Sequence, residues 1–299
     1  MMIRTFAVLF REVRHKPRKT LVVPGAEGAS ILLACADACR QGICDVILLG
    51  DANKMKELAV ANDIPADLMT FEHAPEPVPA VQRAIALVRD GRADLLMKGK
   101  TDTPTLLKAV LDGETGLRTG RVLSHVAVME MAAYDRLMLV TDGGLNIRPD
   151  FDTRKDIIRN AVELAHKLGV ERPAVALLSA MEKVNPKMEE TLDYDRLVKE
   201  QSATPFVEAD VEGPLAMDIA LSVEAARIKG VTSTVAGRTD IFVVPEISTA
   251  NIFVKALIYL AGARVGGLIV GARVPIVLLS RADDAETKLR SIALGACWN

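Results

Sequence analysis

The segment Val274-Pro275-Ile276-Val277-Leu278-Leu279-Ser280-Arg281-Ala282-Asp283-Asp284 sets a hydroxyl, a guanidinium and two carboxylates at the end of an apolar run. A guanidinium offers a planar fork of donors that matches phosphate. The free amides that open a following helix favour an anion as well. Gripping an oxyanion beside a hydroxyl is therefore one chemistry open to this spacing. An ordinary capped helix, with Asp283 or Asp284 as cap and a surface arginine, is the other, and spacing alone weighs the two evenly.

Two more loops carry comparable residue types. Met97-Lys98-Gly99-Lys100-Thr101-Asp102-Thr103 contains Gly-Lys-Thr, but Asp94 stands where the leading glycine of a phosphate-binding P-loop belongs. It reads either as an anion-facing loop or as a capped turn with solvated lysines. Thr141-Asp142-Gly143-Gly144-Leu145-Asn146 has glycines that permit close backbone approach to a ligand, or simply a tight turn. Ser124-His125 lies inside the apolar run Val122–Met129 and reads as a hydrogen-bonded core pair rather than part of a triad. Pro24-Gly25-Ala26-Glu27-Gly28 is only a partial glycine loop.

The elements that must hold these loops alternate along the chain. Strands are expected at Leu21–Val23, Val46–Gly50, Asp94–Met97, Val122–Met129, Leu137–Thr141, Ala174–Leu178, Ile241–Val244 and Ile276–Leu279. Helices are expected at Ser30–Cys39, Pro79–Asp90, Thr103–Leu111, Lys155–Leu168, Leu215–Arg227, Thr249–Leu260 and Ala285–Leu294. Thr103 is the expected cap of its helix, with Pro104 at the first helical position. This alternation implies an α/β fold with mostly parallel sheets, in which ligands bind beyond the carboxyl ends of strands.

The 299 residues suit roughly two domains. Lys and Arg number 37 against 39 Asp and Glu, so no basic stripe invites nucleic acid, and aromatic residues at 4% argue against base stacking. No uncharged apolar run reaches the ~18–20 residues of a membrane span. The short apolar patch Thr5–Phe10 is followed at once by Arg11 and Glu12, which argues against a secretory signal and for a cytoplasmic location. Cys35, Cys39, Cys44 and Cys297 lack the neighbouring donors of a zinc site and read as small buried hydrophobes, so no metal is expected.

Taken together, the loops resemble the phosphate acetyltransferase/phosphate butyryltransferase family, and its butyryl-type branch best. The resemblance runs through Met97-Lys98-Gly99 with Thr103, Leu123-Ser124-His125-Val126, Thr141-Asp142 with Asn146-Ile147, and Asn185-Pro186. It continues through Glu212-Gly213-Pro214-Leu215-Ala216 with Asp218, Asp240 with Val244-Pro245, Asn251 with Lys255, Gly271-Ala272, and Pro275 to Asp283. It implies transfer of a short acyl group, acetyl to butyryl, between coenzyme A and inorganic phosphate, with both as substrates and no tightly bound cofactor. It also implies a homodimer of two-domain α/β/α chains, similar to isocitrate and isopropylmalate dehydrogenases. Residues 1–123 plus 281–299 would form the first domain and 124–280 the second, with the active site in the cleft.

On the same resemblance, Arg281 binds phosphate or acyl phosphate, and Ser280 bonds the tetrahedral intermediate or the leaving sulfur. The acetyl-type branch carries an Asp base seven residues beyond the serine, where this chain has Thr287. Asp283, and after it Glu286, are then the candidate bases. Lys100, Thr101, Ser124, Asp142, Asn146, Asn251 and Lys255 are candidate substrate-binding residues. Glu246 and Ala250 stand where the family usually has Asn and Gly, and Gly143-Gly144 replaces a small aliphatic pair. Two competing readings are a non-catalytic binder of CoA or acyl phosphate and a metal-dependent decarboxylating dehydrogenase.

Overall fold

A computed structural model describes residues 1–279 and 283–298. The chain opens with α1 (Phe6–Arg14), β1 (Lys19–Pro24), α2 (Ala29–Arg40), β2 (Cys44–Gly50), α3 (Ala52–Ala61), β3 (Thr70–His73), α4 (Pro77–Arg89), β4 (Leu95–Met97) and α5 (Thr103–Val110). It continues with β5 (Ser124–Glu130), β6 (Met138–Thr141), α6 (Phe151–Lys167), β7 (Ala174–Leu178), α7 (Glu189–Ala203), β8 (Asp210–Leu215), α8 (Met217–Leu221), α9 (Val223–Ile228), β9 (Ile241–Val243) and α10 (Ile247–Ala261). It closes with β10 (Arg264–Val270), β11 (Ile276–Val277) and α11 (Ala285–Ala296).

Contacts divide the chain into two units. The N-terminal unit is Phe6–Arg121 with Val265–Asn299, and the central unit is Met1–Thr5 with Val122–Arg264. In the N-terminal unit the strands run in the order β3-β2-β1-β4-β11-β10, parallel except for β10 against β11. In the central unit the order is β5-β6-β9-β7-β8, parallel except for β5 against β6. This is the mostly parallel α/β arrangement expected from the alternation. Leu21, Val22 and Val23 of β1, all of β4 and all of β7 are buried, as strands covered on both faces must be.

The register of the N-terminal unit positions its loops. β4 and β11 pair through Leu96 with Ile276 and Met97 with Val277, and the Lys98 amide donates to the Val277 carbonyl at 2.9 Å. The chain leaving β4 and the chain leaving β11 toward α11 therefore start side by side. α11 packs on α2, and every residue from Thr287 to Ala296 is buried. All four cysteines are buried thiols, none of them in a disulfide. Burial pushes the Cys39 thiol up to about 11 and Cys35 higher still, so these thiols pack as apolar groups.

Several boundaries differ from expectation for identifiable reasons. Asp102, not Thr103, caps α5: its carboxylate accepts from the Thr105 amide at 2.9 Å and the Thr105 hydroxyl at 2.7 Å. The helix expected over Leu215–Arg227 is two short helices. Leu215 ends β8, and Ser222 is extended between α8 and α9, its hydroxyl capping the second at the Ala225 amide. α6 begins a turn before Lys155, capped by Asp150. The strand expected over Ile276–Leu279 is only Ile276–Val277. α1, α3, β3, α7, β8 and β10 were not anticipated; the polar face of α7 and the glycines of β10 blur the apolar periodicity.

Asp284, rather than Asp283, caps α11, accepting from the Thr287 amide at 2.7 Å. That bond holds the Asp284 carboxyl below its ordinary value of 3.8. A depressed carboxyl contributes stability above its unfolded pKa and loses it as the pH falls through the folded one. Asp284→Ala is therefore expected to cost roughly 1 kcal/mol at pH 7 in urea denaturation. The gap between variant and parent should close as the pH is lowered below 3.8.

Candidate active site

The residues that open α2, the loop leaving β4, Leu279 beyond β11 and Lys288 of α11 enclose a cavity of about 390 Å³ in the N-terminal unit. Lys98, Lys100 and Lys288 all line it. Among the described lining residues there is no carboxylate. The wall is built by a close backbone contact. Gly99 and Lys100 donate their amides to the Pro24 and Gly25 carbonyls at 3.1 and 2.6 Å. A Cβ on Gly99 would stand 2.1 Å from the Gly25 oxygen, so only glycine fits. Thr101 is buried in the same contact, its hydroxyl 3.5 Å from the Pro24 carbonyl.

Lys98 reaches back to its own loop, donating to the Gly99 and Thr101 carbonyls, both at 3.3 Å. Lys100 is exposed and its Cε passes 3.6 Å from where a Gly28 Cβ would be. Lys288 is only 6% exposed, and its ammonium donates to the Asp283 carbonyl. Burial lowers its pKa, while Asp283 and Asp284 pull it upward. Among the described residues Lys288 forms no ion pair.

Of the residues singled out in the sequence, Ser280 and Arg281 lie outside the described residues. Asp283 stands at the foot of α11, offering its carbonyl to Lys288. Glu286 is 80% exposed, bonds Arg290 at 3.2 Å, and does not line the cavity. Thr287, at the acetyl-branch base position, is buried and accepts from Arg290 Nη2 at 3.2 Å.

Ser124, Asp142 and Asn146 fall in the central unit as parts of its internal bonding. The Ser124 hydroxyl accepts from Asn160 at 2.9 Å. Asp142 is buried, and one carboxylate oxygen accepts the amides of His125, Gly144 and Leu145 at 3.2, 2.8 and 3.1 Å. The other accepts the Asn146 amide at 3.2 Å and its side-chain Nδ2 at 2.6 Å. Asn146 Nδ2 also bonds the Leu123 carbonyl at 2.9 Å. Gly143 and Gly144 make room for a side chain: a Cβ at either would come within 3.3 Å of His125. Asn251 and Lys255 are both exposed on α10, one helical turn apart. Glu246 caps that helix by accepting the Thr249 amide at 3.2 Å, a role for which Asn is equally suited.

Lys288 and Lys98 were missed as lining residues. The signal for Lys288 was a cation on the stripe that Ile292 and Gly295 continue, where an apolar helix face would carry a hydrophobe.

Residues 65–296 match the phosphate acetyl/butaryl transferase family. The chain belongs to that family. A phosphate butyryltransferase of Clostridium acetobutylicum is 44% identical over 297 residues, spanning 99% of this chain and 98% of that protein. A phosphate acetyltransferase of Thermotoga maritima is 38% identical over 289 residues, spanning 96% and 97%. The crystal structure of a branched-chain phosphotransacylase from Enterococcus faecalis V583 is 35% identical, with a TM-score of 0.83 over 94% of this chain and 98% of that one. Among the described residues of this phosphate acetyl/butaryl transferase family member, no three of His, Cys, Asp or Glu are grouped as metal ligands.

The bonding of Asp142 separates a structural from a substrate-binding role. Asp142→Ala leaves four backbone amides without their acceptor, and is expected to lower the stability of the protein by roughly 2–4 kcal/mol. Urea denaturation measures this; a variant as stable as the parent would mean that the carboxylate is not needed by the loop.

Proposed function

We propose that this enzyme transfers a short acyl group between coenzyme A and inorganic phosphate, giving acyl phosphate and CoA. The observation that carries the reading is the 44% identity to a phosphate butyryltransferase along nearly the whole of both chains. The lysine-lined cavity at the ends of β4 and β11 agrees with it, because both reactants carry phosphate.

The chemistry asks little beyond positioning. Phosphate attacks the thioester carbonyl, a tetrahedral oxyanion forms, the C–S bond breaks, and the thiolate takes up the proton that the phosphate gives up. Donors must face the developing oxyanion. Holding two substrates together contributes roughly 7 kcal/mol or more to the barrier reduction. On this reading Arg281 binds phosphate and Ser280 bonds the intermediate or the leaving sulfur. Asp283 is preferred to Glu286 as the proton acceptor in the reverse direction, since Glu286 is drawn to Arg290. Lys100 and Thr101 belong to the substrate-binding loop. No cofactor enters any of these steps.

We also place the enzyme in the cytoplasm as a homodimer. Its buried cysteines, none in a disulfide, suit a reducing compartment, and among the described residues no helix is long and apolar enough to cross a membrane. For the dimer the support is α10, whose sequence is apolar nearly all round but which buries only Ala250. Ile252, Tyr259 and Leu260 are 70%, 80% and 87% exposed. An apolar helical surface of this kind ordinarily meets a partner, and a second copy of the chain is the partner proposed.

Purified protein is expected to release free thiol from butyryl-CoA or acetyl-CoA only when phosphate or arsenate is supplied. Arg281→Ala should lower that rate about a hundredfold or more. No phosphate-dependent release with any C2–C5 acyl-CoA would overturn the assignment. Light scattering at micromolar protein is expected to give twice the chain mass of 32.2 kDa for the parent, and the single mass for the double variant Tyr259→Glu, Leu260→Glu. A monomeric parent would overturn the dimer.

A further inference from the structure

We propose that Lys288, with Lys98 and Lys100, forms the binding site for a phosphate group of the reactants inside the N-terminal unit. The inference rests on the acyl-transfer reading and extends it to a residue at a defined place: the first turns of α11, facing the cavity of about 390 Å³.

Lys288 is hard to account for as part of the fold. Burying an ammonium costs several kcal/mol unless a partner offsets it. A cation also sits poorly near the positive end of a helix. The neighbours on its helix are buried Thr287 and Leu289, and a methionine would fill the same space without either cost. An ammonium has three N–H donors, and the described partner of this one is a single neutral acceptor, the Asp283 carbonyl. Asp283 and Asp284 favour its charged form from the helix start, yet neither forms an ion pair with it.

Across the cavity stand two more cations and no carboxylate among the described lining residues. Lys98 is fastened to its own loop by two carbonyls, which fixes its charge at the wall. Lys100 follows Gly99, whose close seating on Gly25 fixes where the next side chain leaves the backbone. Three ammonium groups drawn from two elements around one cavity repel one another until an anion joins them. The cavity volume falls within the ~300–1,000 Å³ of small-molecule sites. A dianion there would take the two donors that Lys288 leaves open. Free phosphate and the phosphates of coenzyme A share this chemistry.

The test uses the full-length protein and compares Lys288→Met and Lys288→Arg with the parent. KM and kcat are measured for phosphate, for butyryl-CoA, and for butyryl-pantetheine, a thioester donor without phosphate. Lys288→Met is expected to raise a KM about tenfold or more, with Lys288→Arg restoring most of it. A raised KM for phosphate with either donor assigns the site to free phosphate. A raised KM for butyryl-CoA, with butyryl-pantetheine unchanged, assigns it to coenzyme A. Unchanged values for every substrate would overturn the proposal.

A second readout does not depend on turnover. Phosphate or CoA should raise the thermal midpoint of the parent and raise that of Lys288→Met less. Should Lys288→Met fail to fold, exposed Lys100→Met takes its place and is expected to weaken the same ligand's stabilisation. If the parent releases no thiol but phosphate or CoA still stabilises it in a Lys288-dependent way, the acyl-transfer reading fails and the site survives. If the parent is active and neither lysine alters KM or stabilisation, the site alone fails.

Discussion

The backbone contact between Gly99 and the Pro24–Gly25 turn is the constraint that fixes how the loops of the N-terminal unit meet. With less than a side chain's width between them, two loops that leave different strands are locked at one distance. The Gly99 and Lys100 amides, donating to the Pro24 and Gly25 carbonyls, leave no freedom to slide. One consequence is that the residues flanking Gly99 diverge from a fixed point, and both are lysines. Another is that the opening turn of α2, only a few residues beyond Gly25, faces those lysines across the cavity. The position of a charge in a binding site is usually the weak link, because a lysine side chain has four rotatable bonds. Here the loss of freedom is taken up by the backbone, and the carbonyls that hold Lys98 remove most of what remains.

The central unit solves the same positioning problem with a carboxylate in place of a glycine contact. Asp142 gathers the amides of His125, Gly144, Leu145 and Asn146 around its two oxygens, so that one side chain shapes the whole turn after β6. A buried carboxylate surrounded by donors is stable only while all of those donors are present. The two glycines of that turn serve the same end, because any side chain there would press on His125. The turn's geometry is therefore decided from within.

This contrast explains what was legible in the sequence. The α/β class, the parallel sheets and most of the helices follow from apolar periodicity, which local sequence displays directly. Lys100 and Thr101 could be placed at a strand's carboxyl end for the same reason. The inward turn of Asp142 could not, since a carboxylate after a strand looks alike whether it faces a substrate or its own loop. Its donors are backbone amides, which every sequence supplies and none advertises. Asp283 and Asp284 posed a similar ambiguity, settled only by which carboxylate lies near the Thr287 amide. Lys288 was visible as a cation on an apolar stripe, but the cavity that gives it meaning requires β4, β11 and α2 to be assembled.

The exchange at positions 287 and 288 bears on how the proton is handled. Where the acetyl-type branch is expected to carry a carboxylate base, this chain has a threonine bonded to Arg290 and, one residue on, a buried lysine. A neutral side chain thus stands at the expected carboxylate position, with a cation beside it among Asp283, Asp284 and Glu286. On the proposed reading this does not disable the reaction, because the thiol of coenzyme A has an ordinary pKa near 8.5. Ammonium groups around the cavity favour a thiolate over a thiol, just as they favour a phosphate dianion. Less basicity is then required of the group that takes the proton, which on that reading is Asp283. A site rich in cations makes a strong base unnecessary; a site that relies on a strong base needs fewer cations. On the proposed reading, the lysines around the cavity put this enzyme with the first arrangement.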